Sequence, residues 1–345
     1  MPLCLTVISL LLPPSRRWRC LPLTKDSPLI FVNNRSVNYF CYFKGCLASL
    51  LLVATSALAQ DPNATQQLEQ EPGVVAKPSI LTKRFESDRT ALANAFAITQ
   101  YQRNYILPFS HVTNPNSLGN EALTSDNVDN NEAKFQLSIK LPLYTQQDSV
   151  EGLYFGFTLT SFWQLYNSEV SKPFRETNYQ PEVFYQWNTD IRLLGFDFNA
   201  IQLGFNHMSN GQSGIRSRSW NRVMLSTLFS DEDDVYYLKT WYRVPEDAKV
   251  DENDTSGDDN PDINHYYGRM EIGYGTRFDN WGVLIQLRNN LEWDKNRGSV
   301  GITFSYPISP RYEAVLEYFN GYGDSLIDYN RKQERIGVGV QLALF

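Results

Sequence analysis

Apolar and polar residues alternate one by one along much of the chain. Between Lys134 and Leu143, the residues Phe135, Leu137, Ile139, Leu141 and Leu143 share one face, and Lys134, Gln136, Ser138 and Lys140 share the other. The same rhythm sets Leu153, Phe155, Phe157 and Leu159 against Tyr154, Gly156, Thr158 and Thr160. It returns over Val300–Tyr306 and Arg311–Tyr318, and again where Ile336, Val338, Val340, Leu342 and Leu344 oppose Arg335, Gly337, Gly339 and Gln341. Successive side chains of a strand point to opposite faces, so this pattern predicts strands with one apolar and one polar surface. Such runs number about a dozen, each of roughly ten residues, the length a tilted strand needs to cross a bilayer. An even number of antiparallel strands can close on itself and leave no backbone edge unpaired in lipid. The expected fold is therefore all-β, a transmembrane antiparallel β-barrel of about 12 strands over residues 96–345.

Composition supports this picture. Aromatic residues make up 14% of the chain, with 20 Tyr, 20 Phe and 7 Trp, which suits girdles at two membrane interfaces. The charged residues Lys134, Lys140, Arg269, Glu271, Arg288, Glu313 and Glu317 fall on polar faces and suit a barrel lumen. The chain ends in Phe345, and a terminal aromatic is what barrel-insertion machinery commonly reads. A formal net charge of −7 argues against a nucleic-acid partner.

The N-terminus reads as a targeting segment. Lys44, the apolar run Leu47–Ala57 and the ending Ala57-Leu58-Ala59 before Gln60 describe a secretory signal peptide within residues 1–59. A signal normally begins just before its basic flank, so the true start is expected some 35 residues into the sequence, with a genuine extension as the alternative. All four cysteines precede the cut, so the mature chain uses neither disulfides nor thiol chemistry. Residues 1–59 hold six basic residues and one acid, which leaves 25 basic against 37 acidic beyond them. Residues 60–95, polar and weakly periodic, read as a mobile segment. No apolar run after Gln60 approaches the roughly 18 residues a membrane helix needs.

The candidate chemistry lies in Phe205–Arg222, FNHMSNGQSGIRSRSWNR. His207 continues the face of Ile201, Leu203 and Phe205, and Ser209 continues it again. On a strand the two point the same way, about 6.5–7 Å apart, so imidazole can take a proton from the hydroxyl as serine attacks a carbonyl. A His–Ser pair facing lipid is costly to desolvate, and it suits a site taking substrate directly from the leaflet. Asn221, on the following strand, can pair back beside His207 and fix its tautomer. Its face stays open: Val223, Leu225 and Phe229 share its parity, whereas Met224 and Leu228 lie on the other side. His111 and His265 read as a loop residue and a strand-end residue. The acidic run Asp247–Asp262 lacks EF-hand spacing and reads as a solvated loop. Alternation alone favours a passive porin or structural barrel, and the run through Ser209 and Asn221 decides for an enzyme; an adhesin would want longer loops than the pattern suggests.

The segment Phe205–Arg222 resembles the active-site stretch of the outer-membrane phospholipase A family, the detergent-resistant phospholipases of bacteria. NYILPF (Asn104–Phe109), PFRETNYQPE (Pro173–Glu182), DDNPDI (Asp258–Ile263) and GYGDSLIDYN (Gly321–Asn330) resemble the same family, and the likeness spans about Asn104–Phe345. The resemblance implies a twelve-stranded barrel of the bacterial outer membrane that hydrolyses acyl ester bonds of membrane phospholipids (A1, A2 and lysophospholipase activity). It implies Ca²⁺ as cofactor and a homodimer as the active state. By motif position it implies Ser209 as nucleophile, His207 as base, Asn221 as the orienting amide and the Gly211 N–H as oxyanion donor. The implied calcium ligands are the Ser217 hydroxyl, the Gln212 carbonyl and a carbonyl at Ser171 from the second subunit, and hard oxygens suit that ion. Two positions depart from the family: Gln212 stands where Arg is common, and Met208 where an acid is common.

Overall fold

The computed structural model describes residues 79–343, apart from 95, 96, 252, 253 and 255. The expected signal peptide, most of the 60–95 segment and Phe345 lie outside the described residues. The strands are β1 Thr99–Gln100, β2 Tyr105–Val112, β3 Asn131–Thr145, β4 Gly152–Trp163, β5 Phe174–Leu193 and β6 Phe196–Ser209. They continue with β7 Ser219–Asp231, β8 Asp234–Arg243, β9 Met270–Phe278, β10 Trp281–Asn289, β11 Gly298–Pro307, β12 Tyr312–Gly321 and β13 Gln333–Leu342. From β2 onward each strand pairs antiparallel with the next, and β13 pairs with β2 to close the sheet. The two-residue β1 bonds to β3 beyond the end of β2 and leads into the same position, so the barrel has twelve strand positions. Closure leaves each of the twelve strand positions with two neighbours, the condition for a sheet in lipid.

The faces are inverted relative to a water-soluble protein. On β3, Leu137 is 51% exposed while its neighbour Ser138 is fully buried, and Lys134 and Lys140 are buried with it. On β13, Ile336, Val338, Val340 and Leu342 face outward, whereas Gln333, Arg335 and Gln341 are buried. Polar side chains fill the lumen and apolar ones meet the membrane. Exposed aromatics gather at both ends of the wall, with Tyr144, Phe278, Trp281, Tyr306 and Tyr312 at one rim and Phe109, Phe174, Tyr179, Phe205 and Tyr242 at the other. Among the described residues no helix is long and apolar enough to cross a membrane.

The lumen is knitted shut by charge. Arg175 and Arg335 both pair with Glu132, at 2.8 Å each. Arg175 reaches Asp328 at 2.7 Å, and Arg335 reaches Asp324 at 2.6 Å. Lys134 bridges Asp324 and Glu317, and Glu317 also takes Arg103. Burying one of these charges alone would cost several kcal/mol, so opposite charges occur together. Leu326 and Ile327, from the β12–β13 connection, are fully buried at this end of the lumen. Their backbone amides donate to Asn178 and Glu176 on β5. A cavity of about 470 Å³ remains among the inward side chains. A lumen crossed by ion pairs and filled by loop side chains does not suit an open porin.

Within the stretch expected to be mobile, residues 80–92 form helix α1 (Ile80–Leu92). Ser79 caps it by accepting from the Thr82 amide. Asp88 pairs with Lys140 at 2.7 Å, and Arg84, Phe85 and Asp88 line the lumen cavity. A helix packed against a polar wall carries no apolar stripe, which is why alternation and periodicity missed it.

Candidate active site

The short turns β3–β4, β5–β6, β7–β8, β9–β10 and β11–β12 lie at one end of the barrel, and the longer connections lie at the other. Phe205–Arg222 belongs to the second end. It comprises the last residues of β6, the connection 210–218 and the first residues of β7. The β6–β7 register places His207 opposite Asn221 and Ser209 opposite Ser219.

Parity sends alternate residues of these strands to opposite sides. Leu203, Phe205, Val223 and Leu225 are exposed on the outer wall. Asn206, Met208, Trp220, Arg222 and Met224 are buried on the inside. His207, Ser209 and Asn221 therefore all face outward, which resolves the face of Asn221. Met224 and Leu228 look inward to the lumen cavity, beside Ile80, Leu81 and Phe85 of α1. They line that cavity and do not meet lipid.

His207 Nδ1 and Asn221 Oδ1 lie 2.9 Å apart. A carboxylate only accepts hydrogen bonds, so the 3.1 Å contact from Asn221 Nδ2 to Glu246 Oε1 fixes which end of the amide faces the imidazole. With Oδ1 accepting, Nδ1 carries the ring proton and Nε2 is left as the basic nitrogen. Among the described residues none hydrogen-bonds the Ser209 hydroxyl, so the structure aligns Ser209 with His207 on one face without closing a bond between them. Catalytic hydrogen bonds commonly tighten only with substrate bound.

The 210–218 connection is stapled by one side chain. Asn210 Nδ2 donates to Glu176 and to the Arg216 carbonyl, and its Oδ1 accepts from the amides of Gln212 and Arg218. Gly211 has φ +67, a conformation glycine adopts without strain, and a Cβ there would meet the Tyr179 ring at 3.4 Å. Tyr179 is the β5 partner of Ser209 in register and is 39% exposed beside it. Neither Asn210 nor Tyr179 is singled out by the His–Ser spacing. Met208, the departure noted above, packs inward with Trp220, Ile263, Leu326 and Tyr329.

The acidic run departs from the solvated-loop expectation at its C-terminal part. Arg243 forms an ion pair with Asp258 and donates to the Pro261 carbonyl. Asn260 is fully buried and accepts from the Ser219 amide, and Asp262 accepts from Tyr329. Asp259 takes the hydroxyls of Ser217 (2.7 Å) and Ser219 (3.0 Å) on one oxygen and Lys249 (2.5 Å) on the other. Partial burial pushes the Asp259 carboxyl up, but the hydrogen bonds from Lys249, Ser217 and Ser219 outweigh this and hold it below the usual carboxylate range. Residues 258–262 of the connection after β8 are thus not a loose loop: they fold against the start of β7.

The other candidates are more dispersed. Ser171 is exposed in the β4–β5 connection and makes no hydrogen bond with the Ser209 or Ser217 groups. The two remaining histidines are placed differently from expectation. His111 lies within β2 and pairs with Asn131, and His265 lies in the four-residue helix α2 (Ile263–Tyr266) against Glu292. Among the described residues no group of three or more His, Cys, Asp or Glu is arranged to hold a metal.

Comparison with known proteins accords with this geometry. A phospholipase A1 of Klebsiella pneumoniae is 34% identical over 306 residues, covering 86% of this chain and 96% of that protein. The structure of outer membrane phospholipase A from Escherichia coli superposes with a TM-score of 0.64 at 34% identity, over 72% of this chain and 99% of that one. That of a Salmonella typhi outer membrane phospholipase, a dimer with bound calcium, superposes with a TM-score of 0.65 at 33% identity, over 74% and 99%. The closed barrel is that of a bacterial outer-membrane protein crossing the membrane many times. A family model described as Phospholipase A1 matches residues 81–342, and the chain belongs to that family of phospholipid-ester hydrolases.

Proposed function

We propose that this barrel hydrolyses the acyl esters of membrane phospholipids at either glycerol position, and of lysophospholipids, through Ser209, His207 and Asn221. The observation that carries the proposal is the 2.9 Å His207–Asn221 pair on the lipid-facing wall, in line with Ser209. Ser209 Oγ attacks the ester carbonyl while His207 Nε2 takes its proton. Asn221 Oδ1 accepts from Nδ1–H and orients the imidazolium that forms, and the Gly211 N–H receives the oxyanion. His207 then returns the proton to the departing glycerol oxygen. Water attacks the acyl-serine and gives its proton to the same nitrogen, which returns it to Ser209 Oγ as the acyl–oxygen bond breaks and the fatty acid leaves. Exposed Leu203, Phe205, Val223 and Leu225 form an apolar wall below the site along which acyl chains can lie.

The residues fit a calcium ion. The Ser217 hydroxyl donates a hydrogen bond to Asp259, which leaves the hydroxyl oxygen's lone pairs for a cation, and the Gln212 carbonyl would add a second hard oxygen from the same connection. When bound, calcium supplies positive charge for the developing oxyanion. Calcium takes six to eight oxygens, more than these two, so a second copy contributing the Ser171 carbonyl, together with water, completes the set in a homodimer. The solved Salmonella typhi relative is a calcium-bound dimer, which supports this reading.

The test is fatty-acid release by purified protein in phospholipid–detergent micelles. Release is expected with Ca²⁺ and not with a chelator. Undiminished activity in Ser209→Ala sinks the assignment.

A further inference from the structure

We infer that Glu246 is a positioning residue for the catalytic set: its carboxylate sets the orientation of the Asn221 amide and, through it, the tautomer of His207. The inference rests on the Ser209–His207–Asn221 reading and adds a fourth member to it. An asparagine differs from an aspartate in that position, because its two ends are chemically opposite. If the amide turned over, the NH₂ group would face His207 Nδ1. The imidazole would then have to accept at Nδ1 and carry its proton on Nε2, and a protonated Nε2 cannot take the proton of Ser209. The Ser–His–Asn arrangement therefore needs something that distinguishes the two amide ends, and Asn221 itself cannot. Glu246 Oε1, 3.1 Å from Nδ2, does so.

The chain around Glu246 holds it there. The Val244 amide donates to the Asn221 carbonyl at 2.8 Å, which carries the β7–β8 ladder one residue past the end of β8. Pro245 follows, and a residue before proline is kept extended, so the chain continues alongside Asn221. On the far side of Glu246 the Asp247 carbonyl accepts from the Asp258 amide at 2.8 Å, and Asp258 is ion-paired to Arg243 at the end of β8. Glu246 thus sits between two pinned residues, on a loop that closes back on the strand next to the site. Its negative charge also faces, across one amide, the imidazolium that forms as Ser209 attacks. This supplies part of what an aspartate would supply directly.

The experiment is a double-mutant cycle on the full-length barrel with excess Ca²⁺, measuring kcat and KM for fatty-acid release and checking folding by the gel shift of the heated barrel. Glu246→Ala is expected to lower kcat about tenfold with KM unchanged, the loss of one charge-assisted hydrogen bond. Glu246→Gln, which keeps an acceptor but can also present a donor, is expected to recover part of that loss. In an Asn221→Ala background, Glu246→Ala is expected to cost much less, leaving only the effect of its charge on the imidazolium. An equal loss in both backgrounds overturns the inference, because Glu246 would then act elsewhere. So does an unchanged kcat in folded Glu246→Ala while Ser209→Ala is inactive. Activity surviving in Ser209→Ala is a different failure, that of the catalytic reading itself.

Discussion

Replacing Asn221 by alanine tests how the imidazole is held. The side chain accepts one hydrogen bond from His207 Nδ1 at 2.9 Å and makes no contact that places Ser209. Its deletion leaves the barrel intact, since β7 pairs with both neighbours through its backbone. What is lost is a bond to a ring that becomes cationic in the transition state. Hydrogen bonds to charged groups contribute about 1.5–3 kcal/mol, which corresponds to roughly 10- to 150-fold in rate. The loss should appear in kcat and in kcat/KM alike, because the bond strengthens only as the charge develops. The assay is continuous titration of released fatty acid from mixed micelles at saturating Ca²⁺, with wild type, Asn221→Ala and His207→Ala side by side. His207→Ala, which removes the base, should fall much further. A folded Asn221→Ala with wild-type kcat, or with a raised KM alone, refutes the reasoning.

Other expectations concern the barrel and the cation. Leu225→Arg, on the outer wall at mid-strand, should destabilise the folded barrel by about 2–4 kcal/mol in urea titrations, and Leu228→Arg, which looks into the lumen, should cost less. Glu132→Ala removes the carboxylate shared by Arg175 and Arg335; Asp328 and Asp324 remain, so the loss should sit near the low end of the buried-pair range, about 3 kcal/mol by the same titration. Ser217→Ala should raise the Ca²⁺ concentration for half-maximal activity about tenfold without altering folding, as expected for losing one ligand worth ~1.4 kcal/mol. An unchanged calcium requirement would remove Ser217 from the ligand set.

The barrel was legible because lipid and lumen impose opposite demands on alternate residues, and β3, β12 and β13 obey them almost without exception. The face of Asn221 was not legible. Met224 and Leu228 are apolar although they line the lumen cavity, which parity along their own strand does not reveal. Helix α1 itself was hidden because a polar lumen asks for no apolar stripe. The pairing of His207 with Asn221 could be anticipated from the spacing across one connection. The contributions of Asn210, Asp259 and Glu246 could not, since each depends on partners that neighbouring strands and folded connections bring together. Composition marked Asp247–Asp262 as acidic, but only the fold shows that Asp258 and Asp259 meet Arg243, Lys249 and the two serines. The motifs PFRETNYQPE and GYGDSLIDYN find their physical meaning there too. Arg175, Glu176 and Asn178 bind Asp328, Ile327 and Leu326 directly beneath the outward-facing site.

The central claim is that Ser209 is a nucleophile activated by His207. It is tested most directly by treating the calcium-loaded barrel in micelles with a sulfonyl fluoride and locating the adduct by peptide mass spectrometry. The account predicts a single adduct on Ser209 that appears in step with loss of activity and is absent in His207→Ala. Inactivation with the adduct on another residue, or full inactivation of wild type with Ser209 unmodified, would contradict it.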